Sequence, residues 1–360
     1  MLRYLLILVV GCTLLTFAAK IGGRLFPSSL LIYFSRATDE DALYFLDIDH
    51  HLQVHLTPLE HYITPEWNID GRFAYFSHEA SNADVNVWDG GTITTIAQNL
   101  NVYDNSLTWN TDGRLAFLVS VGESFDIYMW DGTSTNNITQ TPDLSEEALA
   151  WSADGRLAFR ALRPNATDIY VWDGSTIANI TQTATIYEDF PTWSLDGRLA
   201  FRVASENNTD IYVWERTSIS NITQTPQADE TLPVWSSDGR LAFLADNQGV
   251  WEVDVWDGVS LSNVSQMLTP MERRPTWGND GRLAFTTQSD NDNDIYVWDG
   301  VSLANISQTP AESESVPIWG GNGHLIYEAA NDIYVWDGVS TYNLTQTPDV
   351  EEYILSWWTP

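Results

Sequence analysis

Residues 168–182 read D-I-Y-V-W-D-G-S-T-I-A-N-I-T-Q, and near-copies begin at Asp126, Asp210, Asp294 and Asp332. Ile169 to Trp172 is a short aromatic and β-branched run, Asp173-Gly174 follows, and a second such run comes after it. This is the pattern of two strands joined by a tight hairpin, because glycine accepts the positive φ that such a turn needs.

The pattern extends in both directions with a fixed period. Trp67, Trp109, Trp151, Trp193, Trp235, Trp277 and Trp319 are each 42 residues apart, and Trp357 follows 38 residues after the last. A second series, Trp88, Trp130, Trp172, Trp214, Trp256 and Trp298, keeps the same step before Trp336 closes it. One unit resolves into four predicted strands, shown by Phe190 to Trp193, Arg198 to Val203, Asp210 to Trp214 and Ser220 to Thr225. Turn signals such as Asp196-Gly197 separate them, and nothing in the unit has helical periodicity.

Units of about 40 residues with four strands each have the size of propeller blades. The third-strand motif occurs eight times when the degenerate Leu43 to Asp47 copy is included. The first copy begins at its second strand, Leu31 to Phe34, and the chain ends in an orphan Trp strand, Tyr353 to Trp357. The expected fold is therefore an all-β, eight-bladed propeller of four-stranded blades. Its C-terminal strand completes the N-terminal blade and so hides two open sheet edges.

The repeat Trp193 to Phe201, W-S-L-D-G-R-L-A-F, followed by D-I-Y-V-W at Asp210 to Trp214, resembles the repeat of TolB-type, WD-like propellers. The resemblance covers Leu30 to Trp358 and does not extend to the N-terminal domain of TolB. The proline of that family's motif is replaced here by Ala153, Leu195, Ser237 or Asn279.

Composition restricts function. Of 360 residues, 44% are hydrophobic and 12% aromatic, enough for a large core. The net charge of −33 comes from 49 acids against 16 bases, which disfavours nucleic acid and anionic lipid as partners. Cys12 is the one cysteine, so residues 30–360 contain neither a disulfide nor a thiolate nucleophile. Residues 1–29 are expected to be a signal peptide or a membrane anchor. Arg3 precedes an apolar run over residues 4–19, between a signal core and a spanning helix in length, and Val9 to Cys12 loosely matches a lipoprotein cleavage box. Each alternative places the propeller, residues 30–360, outside the cytoplasm, in the periplasm, at the cell surface or secreted, with membrane contact through the leader alone.

Comparison of the copies separates repeated from variable positions. The D-G-R turns, from Asp70 to Asp280, and the W-D-G turns are expected on one face of the ring, and the variable loops on the other. The variable face is the expected binding surface, since function tends to sit on loops carried by a rigid scaffold. One position near those loops does not vary. Five residues before each inner Trp stand Asp104, Glu146, Glu188, Glu230, Glu272, Glu314 and Glu352, with Tyr62 the exception. Two readings follow: a ring of carboxylates at the channel mouth that attracts a cation or a basic group, or a set of acceptors for N–H groups between blades.

Asp290, Asp292 and Asp294 alternate with asparagines as calcium ligands do, without the loop glycine and distal Glu of an EF-hand. His51 and His55 share a predicted strand face near His50 and His61, without a clear third ligand for zinc. No other cofactor is expected. No nucleophile elbow, HExxH helix or P-loop occurs. The expected function is a non-enzymatic, monomeric interaction scaffold that binds a protein or an envelope polymer. The alternatives are a carbohydrate- or cation-binding module, or a hydrolase using carboxylates at the channel mouth.

Overall fold

The computed structural model describes the chain from Leu30 to Trp358 apart from residues 37–40, 48–51, 57–64, 80–81, 90–91, 103–105, 142, 207, 266–270, 289–292, 308–313 and 348. Its strands form eight four-stranded antiparallel sheets. The fold is an eight-bladed β-propeller. Blade 1 pairs Glu351–Trp358 with Leu30–Arg36, then Asp41–Asp47 and Leu52–Leu56, in register Leu30↔Trp358 and Leu31↔Trp357. The orphan strand thus fills the expected vacancy.

Blade 5 shows the common plan: Tyr187–Trp193 innermost, then Leu199–Ala204, Thr209–Trp214 and Ile219–Asn221. Two of these strands differ from the sequence expectation. The inner strand is longer and carries a bulge between Asp189 and Thr192, with Phe190 at φ 51°. The outer strand stops at Asn221, whose side-chain oxygen accepts from the Thr223 and Gln224 amides at 3.1 and 2.9 Å and turns the backbone out of the ladder.

The core lies between blades. Leu199 and Phe201 of blade 5 pack on Ala158, Ile169 and Val171 of blade 4, and the L-A-F triplets of blades 3 to 7 are buried throughout. Each such leucine or phenylalanine contributes about 2–3 kcal/mol of burial. Every blade offers one face to each neighbour, so no blade has an independent core.

The two Trp series serve the same seams. In each of six consecutive seams, from Trp109 to Trp319, the inner indole N–H donates at 2.9–3.1 Å to the carbonyl just before the preceding inner Trp. The two Trp of a blade meet edge to face, as Trp193 and Trp214 do at 6.0 Å. The D-G-R arginine of the preceding blade closes the assembly. Arg156 pairs with Asp154, donates to the Gly197 carbonyl at 3.3 Å, and lies 4.3 Å from the Trp193 ring centroid and 5.8 Å from that of Trp214. A planar guanidinium can do all three, because its fork of donors and its flat face act at once. The D-G-R turns share a face with the turns after the third strand, as Arg216, in the Trp214-Glu215-Arg216 turn that stands where other blades have W-D-G, reaches Asp154 in blade 4 at 3.2 Å.

Candidate functional site on the variable-loop face

Among the described residues, five of the inner-strand acids are buried at the seams. Glu146, Glu188, Glu230, Glu314 and Glu352 are at most 4% exposed. Each of Glu146, Glu188, Glu230 and Glu352 reaches back to threonines of the segment that leaves the preceding blade. Glu188 Oε1 lies 3.2 Å from Thr183 Oγ1, and its Oε2 accepts from the Ile169 amide of blade 4 at 3.3 Å. Glu352 Oε1 lies 2.8 Å from Thr347 Oγ1, and Thr141 and Thr225 bond Glu146 and Glu230 from the same position. Burial pushes the carboxyls of Glu146, Glu188 and Glu230 up to about 7, and that of Glu352 in the same direction. Glu272 lies in the inner strand of blade 7, opposite Thr287, and Asp104 is outside the described residues.

The N-x-T-Q segments complete these seams. Asn179 donates through Nδ2 to Asp168 at 2.6 Å while its Oδ1 accepts from the Thr181 and Gln182 amides. Asn137 and Asn343 repeat the bond to Asp126 and Asp332. These amide nitrogens are committed inside the fold. Of the calcium candidates, Asp290 and Asp292 lie outside the described residues, and Asp294 accepts from Ser307 Oγ at 3.4 Å. His50, His51 and His61 also lie outside them, and His55 is in the outer strand of blade 1. Among the described residues no three His, Cys, Asp or Glu side chains form a group able to hold a metal.

One cluster went unread in the sequence. Arg160 of blade 4 pairs with Glu147 and, at 3.5 Å, with Asp189 of blade 5. Arg202 grips the same Asp189 through Nε and Nη2 at 2.8 and 2.7 Å, and lies 5.0 Å from the Phe190 ring centroid. The ladder supports Phe190 at the bulge, where a non-glycine residue at positive φ costs energy and needs its surroundings to hold it. Phe190 remains 40% exposed, so a fixed aromatic ring is displayed beside two arginines. The signal was available: L-A-F is followed by Arg in blades 4 and 5 alone.

A cleft of about 450 Å³ opens between the Val121–Ser124 turn, Asp143 to Ser145 and the Leu162 to Pro164 turn. Leu144, Leu162 and Pro164 give it an apolar lining, while Glu123 and Asp143 are exposed acids on its walls. Its one base, Arg163, is engaged by Asp168 and donates to the Thr183 carbonyl at 2.5 Å. The cleft therefore presents negative charge beside an apolar surface.

No protein-family model matches this chain, and no curated protein does. Solved structures do. The propeller domain of the Trilobed protease from Pyrococcus furiosus aligns at TM-score 0.55 and 15% identity, over 79% of this chain and 98% of that one. A prolyl endopeptidase aligns at 0.58 and 14% over 87% of this chain, and a puromycin hydrolase at 0.58 and 13% over 80%. TolB from Acinetobacter baumannii aligns at 0.43 and 16%, over 74% of this chain and 76% of that one. What the first three share with the chain is the propeller fold.

The comparison corrects the expectation of a non-enzymatic scaffold. The neighbours are mostly peptidases, and the chain spans about half the length of the prolyl endopeptidase and the puromycin hydrolase, 54% of each. The missing nucleophile elbow had counted against an enzyme. It loses that weight once the matching region is a propeller covering half of a hydrolase.

Proposed function

We propose that this chain is the propeller of a peptide hydrolase and that its variable-loop face receives the peptide. The likeness of the eight-bladed ring to propellers of peptidases, over about four fifths of the chain, carries the reading. The cleft beside Leu144 and Leu162 supports it. Its size suits one or two residues, and Glu123 and Asp143 complement the positive amino end of a peptide whose first side chain is apolar. The fixed ring of Phe190 offers a second apolar contact.

Calorimetric titration of the full chain with short peptides starting in Leu or Phe, each with a free or an acetylated amino end, tests this together with mass spectrometry for cleavage products. Free-amine peptides are expected to bind more tightly. Replacing Glu123→Gln and Asp143→Asn together should weaken them about 10-fold while leaving thermal stability unchanged. The absence of both binding and cleavage for every peptide would overturn the proposal. Binding of oligosaccharides alone in the same titrations would favour a carbohydrate-binding module. We also propose kinship with TolB-type repeats, from the W-S-x-D-G-R-L-A-F pattern, and delivery outside the cytoplasm by residues 4–19. Fractionation of expressing cells checks the delivery.

A further inference from the structure

The seam acids carry a consequence that peptide handling does not use. At the seam of blades 4 and 5, the single hydroxyl of Thr183 lies 3.1 Å from Asp168 Oδ1 and 3.2 Å from Glu188 Oε1. At the seam of blades 8 and 1, Thr347 Oγ1 lies 3.1 Å from Asp332 Oδ1 and 2.8 Å from Glu352 Oε1. All four acids are at most 4% exposed. A threonine hydroxyl has one proton to donate, and two ionised carboxylates are acceptors only. Two full hydrogen bonds, rather than one shared proton, form here when one acid is protonated, so that it donates to the threonine oxygen while the threonine donates to the other acid.

The other donors around each pair decide which acid keeps the proton. Asp168 also accepts from Asn179 Nδ2 at 2.6 Å and from the Thr183 amide at 3.0 Å, and it pairs with Arg163. Asp332 accepts from Asn343 Nδ2 at 2.7 Å and from the Thr347 amide at 2.6 Å. Each aspartate already has at least two donors besides the threonine, so the proton of the pair belongs on the glutamate. We infer that each of these two seams stores one proton on a Glu–Thr–Asp chain, and that the ring is clasped by it, most tightly below neutrality and more loosely as the pH rises.

The groups facing the glutamates are consistent with this. Glu188 faces Asp168, with Arg163 engaged beyond it. Glu352 faces Asp332 in blade 8 and Tyr44 in blade 1, whose hydroxyl is pushed up by burial and by Glu352 itself. Glu351 opens the closing strand, and Glu328 of blade 8 accepts from that strand's Ile354 amide at 2.7 Å. Burial and the neighbouring Asp168 hold Glu188 at about 7, against about 4.3 for an unburied glutamate. A raised carboxyl contributes stability in full below its unfolded value and loses it as the pH rises through its folded value. Glu146 and Glu230, with Asp126 and Asp210 beside them, act in the same direction at two further seams.

Infrared difference spectroscopy and thermal unfolding of the full chain test the clasp. Near pH 6 a protonated-carboxyl band is expected, lost near pH 8.5 and reduced in the Glu188→Gln and Glu352→Gln variants. The melting temperature should fall by about 5 °C or more between those two pH values. Glutamine keeps a donor in the same place, so both variants should fold and show a shallower pH dependence. A melting temperature that is constant or rises over this range, or a carboxyl band that the variants leave intact, would overturn the inference. If either glutamine variant fails to fold, the infrared band of the wild-type chain decides alone.

Discussion

The two faces of the ring solve one joining problem with opposite electrostatics. On the D-G face an exposed aspartate pairs with an arginine that lies over the next blade's tryptophans, as Asp196 and Arg198 do with Trp235 at 4.5 Å. Bonds from Arg198 hold the Asp196 carboxyl below the usual range. On the variable-loop face buried glutamates bond to threonines, and burial holds them above it. Asp112, Asp154, Asp196, Asp238 and Asp280 stabilise above the ordinary carboxylate range, whereas the buried glutamates stabilise below neutrality. Together they place the expected stability maximum between these limits. The D-G joint, half in water, loses its contribution as the pH falls through the lowered aspartate values, so it limits the acid side. The buried one limits the alkaline side.

Substitutions at the joints can separate the two solutions. Trp193→Ala should have the largest effect, about 3–5 kcal/mol in denaturant unfolding, because it opens a cavity and removes the indole bond to the Ala150 carbonyl at 3.1 Å. Arg198→Lys should cost about 1–2 kcal/mol, since an ammonium cannot pair with Asp196, bond the Gly239 carbonyl and cover Trp235 at once. Asn179→Ala, on the opposite face, should cost about 1 kcal/mol by removing the bond to Asp168 and the turn at Thr181. Leu195→Ser, 67% exposed at a D-G turn, should change stability by less than about 0.5 kcal/mol. If Leu195→Ser proved as costly as Arg198→Lys, the D-G face would have a role beyond joining blades.

The fold was legible because its causes are local and repeated. An Asp-Gly pair marks a hairpin wherever it occurs, and a Trp every 42 residues can only be a joint between units. The strand bounds were less legible. The bulge at Phe190 follows from how the inner strand fits its neighbours, and the early end at Asn221 from a side chain competing with the ladder. The repeated glutamate was visible, but its surroundings were not, since the contacts with Asp168, Ile169 and Thr183 come from an adjoining blade and linker. Arg160 and Arg202 were hidden by attention to what repeats, because they matter by breaking the pattern. The likeness to peptidase propellers survives in backbone geometry at 13–15% identity, beyond the reach of motif reading.

Blade 1 takes three strands from Leu30–Leu56 and its fourth from Glu351–Trp358, hydrogen-bonded side by side. Topologically the propeller is a circle whose nick falls within a sheet. A permuted chain that joins Trp358 to Leu30 through a short linker and opens in an exposed D-G turn would keep every seam and move the nick elsewhere. Where the ring first gives way under load would then follow the nick, which makes chain order a means of choosing the weakest seam.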